Sequence, residues 1–271
     1  MADKAKVVLV TGASAGLGQA CADHLDATGW TVVGASRRGT STGTWEGLVV
    51  DVDDDRSVRT GVDEVLARHG RIDALVAAAG WGLAGPVEDT PLQEAKAQVE
   101  TNFWGVVRVV QAVLPAMRAQ GGGRLVLMSS IGGIIGIPFQ AFYSASKFAL
   151  EGLGESLAYE VAPHGISLTL VEPGNFATDF TDSRRMVSAA AGDNPTYRAA
   201  FEKAVSLMER DERNGAAPMD VAIAVQKLLA SRRPPRRVSV GKSGERVGLI
   251  AKRLLPFRIF QAAAKSSLGV D

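Results

Sequence analysis

The sequence predicts an α/β protein built on a Rossmann-type, doubly wound parallel sheet with helices on both faces. Three observations lead to this prediction. Short β-branched runs alternate with longer helix-period stretches, a glycine-rich turn follows the first run, and no repeat or second hydrophobic core interrupts the pattern. The chain has 271 residues, of which 46% are hydrophobic and 22% charged, which suits one large domain spanning residues 1–271.

Six β-branched runs are predicted to be buried strands, because parallel strands covered on both faces are almost continuously apolar. They lie at 6–11, 31–35, 47–51, 73–78, 124–128 and 166–172, and segment 236–241 could add a last strand. Helices are predicted at about 17–28, 56–68, 92–119, 142–162 and 218–230. Strands joined through helices in this way form right-handed crossovers and therefore a parallel sheet.

Two segments depart from the alternation. Residues 179–217 are long, polar and weakly patterned, which is typical of a substrate lid rather than of a core element. Residues 231–260 carry nine Lys or Arg and one acidic residue around apolar clusters such as RLLPFRIF. The C-terminal extension, 242–271, could therefore hold an amphipathic helix that contacts a membrane surface or a partner. We expect instead a basic helix packed on the domain with its charges solvated.

Composition narrows the possible functions and compartments. A formal net charge of +1 does not favour a nucleic-acid partner. Cys21 is the single cysteine, so it cannot form an internal disulfide and gives no indication of an oxidising compartment. The first apolar run is too short for a signal peptide and no uncharged stretch is long enough to span a membrane, so we expect a cytoplasmic protein. His24, His69 and His164 are scattered without partners at ligand spacing, and we predict no metal site.

The segment TGASAGLG, residues 11–18, follows the first predicted strand and opens the first helix. Gly12 can take the tight turn, Gly16 lets the backbone approach a pyrophosphate, and Gly18 lets the helix pack closely on the strand. The helix start then offers free N–H groups and a positive dipole end to phosphate. The sequence therefore predicts a dinucleotide site, with cofactor-binding loop residues Gly12, Ser14, Gly16, Leu17 and Gly18.

The end of the second strand bears on the choice between the two nicotinamide cofactors. An acid there would bind the ribose hydroxyls of NAD, whereas a basic residue suits the 2′-phosphate of NADP. Ser36 is followed by Arg37 and Arg38, without an acid. The two arginines could be a solvated pair on an exposed turn, or they could make charge-assisted contacts to that phosphate. The missing acid leads us to predict NADP(H) rather than NAD(H).

In this order and spacing, the motifs resemble those of the short-chain dehydrogenase/reductase family, over about residues 5–240. Within the family, GLAGPVED, the segment GIIGIPFQAFYSASKFALEGLGESLAYE and the basic LLPFRIF tail are similar to the branch with 17β-hydroxysteroid and retinol dehydrogenases. The resemblance implies an oxidoreductase that interconverts a carbonyl and an alcohol. The matching marks are TGASAGLG, DV at 51–52, AAG at 78–80, Asn102 in ETNFWG, Ser130 in MSSIGG, Tyr143 and Lys147 in YSASK, and PGNFAT at 173–178.

The resemblance implies catalytic roles for four residues. Tyr143 would protonate the carbonyl oxygen while NADPH delivers hydride to the carbon. Lys147, one helical turn on, would stabilise the phenolate and bind the nicotinamide ribose. Such a cation is needed because a tyrosine with its ordinary pKa of ~10 exchanges its proton poorly at neutral pH. Ser130 would hydrogen-bond the substrate oxygen, and the family spacing selects it over Ser129. Asn102 would hold a water in the proton relay behind Lys147, or alternatively satisfy backbone groups at a helix start.

The resemblance also implies cofactor contacts further along the chain. Asp51 and Val52 would flank the adenine, although Asp51 could be an ordinary strand-ending acid. The family usually has Asn where Ala78 stands, and the missing amide would normally tie backbone groups of the central strands together. We therefore expect a less rigid cofactor floor with activity retained. The remaining implied contacts are Ala79 and Gly80 near the adenosine, and Pro173, Gly174, Phe176 and Thr178 at the nicotinamide.

The substrate is expected to be a sizeable apolar carbonyl or alcohol. Loop 81–87, segment 131–139 and the lid would line the pocket with few charges, as apolar ligand sites generally do. Steroid-, retinoid- or lipid-like substrates are implied by the resemblance. The alternative is a nucleotide-binding sensor that keeps the fold without turnover, and the presence of Tyr143 and Lys147 speaks against it. The apolar stripe at 103–119, together with the Tyr143 helix, implies a homo-oligomer by the same resemblance.

Overall fold

The main sheet contains seven parallel strands in the order β3-β2-β1-β4-β6-β7-β9. The computed structural model describes residues 5–188 and 194–268, so parts of the predicted lid (189–193) and of the C-terminal extension (269–271) lie outside the described residues. The strands are β1 Val7–Thr11, β2 Thr31–Ser36, β3 Glu46–Val49, β4 Ala74–Ala77, β5 Leu83–Ala84, β6 Gly123–Met128, β7 Ile166–Pro173, β8 Arg185–Met186 and β9 Arg237–Val240.

Helices cover both faces of this sheet, and the strand alternation divides the core accordingly. In β1, Val7 and Leu9 join the core beneath α2, α4 and α5, whereas Val8 and Val10 join the core beneath α1 and α8. The helices are α1 Gly16–Ala27, α2 Asp55–His69, α3 Leu92–Val99, α4 Gly105–Ala119, α5 Ala141–Val161, α6 Phe180–Ser183, α7 Arg198–Arg213, α8 Pro218–Ala230, α9 Ser243–Leu254 and α10 Phe257–Leu268.

The strand order reverses next to β1, which pairs with β2 on one side and with β4 on the other. In open parallel sheets this switch point leaves a crevice outside the carboxyl ends of the strands, where ligands bind. The glycine-rich turn after β1 and the AAG segment after β4 both lie at this edge. The topology therefore brings together the segments that the sequence analysis singled out separately.

The doubly wound fold and the six predicted strands are confirmed, and the segment at 236–241 does add a seventh strand, β9. The predicted helix at 92–119 is divided, because a π-helical turn, Glu100–Trp104, separates α3 from α4. The lid also contains more regular structure than its composition suggested. It holds α6, strand β8, which pairs in parallel with β5, and the sixteen-residue helix α7.

Helix α7 was missed because half of its sixteen residues are charged and only one narrow stripe is apolar. Phe201, Ala204 and Val205 are buried on that stripe, at the i, i+3, i+4 spacing of one helix face. The extension after β9 forms α9 and α10. Over the described part of the chain, none of the helices combines the length and apolar character needed to cross a membrane.

Candidate active site

The glycine-rich turn has the backbone geometry that close approach of a phosphate requires. Gly12 has φ +71°, a region that favours glycine. A Cβ on Gly18 would lie 2.3 Å from the carbonyl oxygen of Gly12, so α1 packs against the turn only because this side chain is absent. The N-cap residue, Ala15, provides no side-chain cap, and the first turn of α1 has no acid. The N–H groups and the positive end of the dipole are therefore left for an anion.

The arginines after β2 lie beside this turn. Arg37 and Arg38 are both exposed, whereas Ser36 is buried. The Arg38 guanidinium donates to the carbonyl oxygen and to the hydroxyl of Ser14, both at 3.0 Å. Arg38 thus reaches the predicted phosphate loop itself. Arg37 instead lies near Asp53, whose pKa burial raises and to whose carboxylate the charge of Arg37 makes only a small opposing contribution.

Tyr143 and Lys147 lie on one face of α5, and both are buried, with exposures of 9% and 6%. The Lys147 Nζ is 5.8 Å from the centre of the Tyr143 ring. It donates to the carbonyl oxygen of Met128, at the end of β6, at 2.8 Å. An ammonium inserted between a helix and the end of a strand is not a solvated surface charge. The structure thus gives the pair the juxtaposition expected from its i, i+4 spacing.

The two serines after β6 differ in what their hydroxyls contact. Ser130 Oγ accepts from the Gly132 N–H at 3.0 Å, and a hydrogen bond also links its side chain to Tyr143. Ser129 Oγ is buried and has no hydrogen-bond partner among the described residues. It lies instead below Gly133, where an added Cβ would be 2.8 Å from it. Of the two, Ser130 is the one placed beside the tyrosine.

Burial shifts the pKa values of both ionisable residues of the pair. Desolvation raises the pKa of Tyr143, the Ser130 hydrogen bond lowers it, Glu212 raises it and Arg184 lowers it. Desolvation also lowers the pKa of Lys147 from 10.5 to about 8, against a smaller opposing effect of Glu151. Each shift disfavours the charged form in a site with little water. Lys147 can therefore gain or lose its proton closer to neutral pH than a solvated lysine can.

Asn102, fully buried in the π-helical turn, fastens the segment after β4 to α5. Its Oδ1 accepts from the Trp81 N–H, and its Nδ2 donates to the Trp81 carbonyl, both at 3.0 Å. The same Nδ2 lies 3.3 Å from Ser146 Oγ. These contacts match the alternative in which Asn102 satisfies backbone groups. The groups belong to Trp81, in the segment after β4, rather than to a helix start. The relay role proposed for Asn102 stays a prediction.

The AAG segment closes the floor of the crevice. A Cβ on Gly80 would lie 3.1 Å from Asn102 Oδ1 and 3.8 Å from Lys147 Nζ, so this backbone is in contact with the catalytic candidates. In place of the amide that is usual at position 78, the Thr11 hydroxyl accepts from the Ala79 N–H at 3.4 Å. This long bond ties the ends of β1 and β4 only weakly.

The two residues predicted at the adenine follow β3. Asp51 is partly buried, and its Oδ1 accepts from the Asp53 N–H at 3.1 Å, while its own N–H donates to Ser57 Oγ. Val52 is buried against Gly105, where a Cβ would be 2.8 Å from Val52 Cγ2. The charges of Asp51 and Arg37 both act on Asp53, so the segment after β3 lies near the arginines that follow β2.

The PGNFAT stretch follows β7 and contacts a residue that the sequence analysis did not find. Glu245, near the start of α9, accepts from the Asn175 N–H through Oε1 at 2.8 Å. Its Oε2 leaves no room for a side chain on Gly174. At the other end of the stretch, Thr178 lies 3.7 Å from the Cβ position of Gly16. No local pattern reveals Glu245, because it is seventy residues away from its partner.

A buried ion pair in the lid was also missed. Arg184 and Glu212 form a salt bridge, and the Thr181 hydroxyl donates to Glu212 Oε2 at 2.8 Å. Phe180, below the Arg184 guanidinium, has its ring centre 5.8 Å from that of Tyr143. The lid thus covers the tyrosine with an aromatic ring and places two charges near it. Sequence signals for this were absent, because charged residues in a polar segment are normally solvated.

Side chains of the types that bind metals are not gathered into ligand groups in the described residues. Throughout residues 5–188 and 194–268, no group of three or more His, Cys, Asp or Glu side chains could hold a metal ion. His24 lies 3.0 Å from Gln226 and His69 lies 3.1 Å from Glu46. His24 and Gln226 join α1 to α8, whereas His69 of α2 faces Glu46 of β3, which also pairs with Arg68.

Comparison with known proteins finds similarity over almost the whole chain. A profile of the short chain dehydrogenase family matches residues 6–188. The 3-ketodihydrosphingosine reductase of Bacteroides thetaiotaomicron is 41% identical over 261 residues, which cover 96% of this chain and 97% of that protein. Retinol dehydrogenase 8 of Bos taurus is 35% identical, with 88% and 82% covered. A short-chain dehydrogenase from Streptomyces avermitilis, known as a crystal structure, is 34% identical with a TM-score of 0.84 and full coverage of both chains.

Proposed function

The chain belongs to the short-chain dehydrogenase family, and on this premise we propose that it reduces the keto group of a bulky, lipid-like substrate with NADPH. The observation that carries the proposal is the burial of Ser130, Tyr143 and Lys147 together at the carboxyl edge of the sheet. The proposal treats residues 1–271 as one oxidoreductase domain with the lid at 179–217.

The residues at the crevice fit a nicotinamide dinucleotide. The start of α1 is uncapped, and the space over Gly16 is open up to Thr178. When bound, NADPH supplies the hydride that the carbonyl carbon accepts. For the chain's own part, Ser130 orients the carbonyl oxygen, Tyr143 gives that oxygen its phenolic proton, and Lys147 stabilises the phenolate that remains. The carbonyl becomes an alcohol, and solvent then returns the proton to Tyr143.

The preference for NADPH rests on the charge around the end of β2. Ser36 offers no carboxylate to the ribose, whereas Arg38 reaches the phosphate loop and Arg37 is exposed beside it. A 2′-phosphate would gain charge-assisted hydrogen bonds from such guanidinium groups. We therefore expect NADPH to bind more tightly than NADH, and the variant Arg37→Ala/Arg38→Ala to lose most of this difference in a fluorescence titration.

A long-chain ketone such as 3-ketodihydrosphingosine is the first substrate to test. The relative that reduces it, by its name, covers nearly all of this chain at 41% identity. The side chains around Tyr143 support an apolar substrate, because the Phe180 ring lies against it. A second aromatic pair joins Phe139, in the segment after β6, to Phe201 of the lid helix α7, with ring centres 5.4 Å apart. Steroid and retinoid ketones of similar bulk belong in the same panel.

The test compares the wild type with Tyr143→Phe. Both proteins are titrated with NADPH and then assayed for NADPH oxidation with 3-ketodihydrosphingosine and with ketones and aldehydes of increasing bulk. We expect turnover by the wild type alone, with equal NADPH affinity, since the substitution removes one hydroxyl from a buried ring. Residual turnover by Tyr143→Phe close to the wild-type rate would refute the assigned role. NADPH binding without turnover on any carbonyl would refute the reductase proposal in favour of a nucleotide sensor.

Oligomerisation and location complete the proposal. Trp104, Phe148 and Tyr159, at the start of α4 and along α5, are exposed by 49%, 43% and 63%. Such aromatic residues are enriched at protein interfaces, which supports a homo-oligomer formed through these helices. A mass measurement by light scattering tests it. The single, buried Cys21 is consistent with a cytoplasmic location.

A further inference from the structure

We propose that the outer face of α9 and α10 docks on an anionic lipid surface. The inner face of α9 is attached to the walls of the candidate site at both ends. Glu245 accepts the Asn175 N–H, and Lys252 donates to the carbonyl oxygen of Ile134 and lies 5.2 Å from the centre of the Phe148 ring. The helix therefore has a defined orientation on the protein, with its opposite face outward.

That outward face is apolar. Val247, Ile250 and Leu254 follow one another at helical spacing and are exposed by 62%, 58% and 75%. The connection to α10 continues the surface, because Phe257 is exposed by 68%. A continuous stripe of large apolar side chains on a protein surface marks a contact with another apolar phase.

The charges beside this stripe identify the partner. Arg246 and Arg253, four residues before and three residues after Ile250, are exposed beside the stripe. On α10, Arg258 and Lys265 are exposed as well. The only acid within α9 and α10, Glu245, is used on the inner face. Apolar side chains flanked by basic ones, without acids, match a bilayer surface that carries anionic headgroups.

The position of this surface relates it to the site. Helix α10 contacts α7 of the lid, and α9 touches both the segment after β6 and the stretch after β7. Docking would therefore bring the lid and the crevice walls close to the lipid headgroups. Docking of this surface does not depend on which carbonyl the protein reduces.

The test is co-sedimentation of the full chain with vesicles of phosphatidylcholine, alone or mixed with phosphatidylglycerol. We expect pelleting with the mixed vesicles and little with phosphatidylcholine alone. Arg246→Gln/Arg253→Gln should lower the partition coefficient roughly fivefold per removed charge. The matched control is Arg56→Gln/Arg59→Gln, which removes two exposed arginines from α2 and should pellet like the wild type.

A second pair of variants tests the apolar stripe. Ile250→Asn/Leu254→Asn should lose most binding to the mixed vesicles, whereas Val87→Asn/Leu92→Asn, at exposed apolar positions elsewhere, should not. NADPH affinity, measured for each variant, verifies that the fold is intact. Equal pelleting of all variants and the wild type would overturn the proposal. Absence of wild-type binding would overturn it too. In that case, a smaller assembly mass in solution for Ile250→Asn/Leu254→Asn than for the wild type would show that the stripe joins two copies of the chain.

Discussion

Removing the charge of Lys147 should change how the stability of the protein depends on pH. In the folded chain burial holds the pKa of Lys147 at about 8, whereas the ordinary value is 10.5. Between these values the unfolded chain binds the proton and the folded chain has lost it. The free energy of unfolding therefore rises with pH across this window. With these two pKa values the rise from about pH 7 to about pH 9.5 is about 2 kcal/mol.

The assay is urea unfolding of the cofactor-free protein, followed by circular dichroism at both pH values. Tyr143 and Cys21 act in the opposite direction at alkaline pH, because burial raises their pKa values. Their contribution cancels when the wild type is compared with Lys147→Met. We expect the wild type to gain about 2 kcal/mol relative to this variant between the two pH values. Lys96→Met, at an exposed position on α3, is the control and should follow the wild type.

Parallel pH dependence of the wild type and Lys147→Met would refute the reasoning. It would mean that the ammonium is solvated in solution and that the low pKa does not exist. Water would then screen the Lys147 ammonium, and its stabilisation of a Tyr143 phenolate would be weaker, even if the two side chains remain on one face of α5.

Three further predictions concern the cofactor and the reacting carbonyl. Gly18→Ala should weaken NADPH binding at least ~10-fold in a fluorescence titration, because its Cβ would lie 2.3 Å from the carbonyl oxygen of Gly12. The control is Gly152→Ala, in open space on α5, which should bind NADPH like the wild type. Glu245→Ala should raise the KM for NADPH about fivefold, because it removes the charge-assisted bond to Asn175 in the stretch 173–178, which is proposed to bind the nicotinamide. An unchanged KM would contradict this. Ser130→Ala should lower kcat about 100-fold and Ser129→Ala hardly at all, and similar kcat values for the two would refute the assignment.

Much of the fold was predictable because its signals are local. Six of the seven strands follow from β-branched runs that must be covered on both faces, and the family follows from short motifs in order; both predictions are confirmed. The candidate site was predictable for the same reason. Tyr143 and Lys147 share a helix face by spacing alone, and Gly12 and Gly18 occupy positions where a turn and a close packing contact require glycine.

What only the tertiary structure decided depends on contacts between distant parts of the chain. The pKa of Lys147 is set by how much water the surrounding helices and strands exclude, and no spacing contains that quantity. Glu245 and the Arg184–Glu212 pair lie in polar segments where a solvated charge is the ordinary expectation. Folding brings Glu245 to the Asn175 N–H and largely buries the ion pair near Tyr143. Sequence patterns report which face of an element is apolar. They do not report which distant residue meets it, because that depends on the packing of the whole chain.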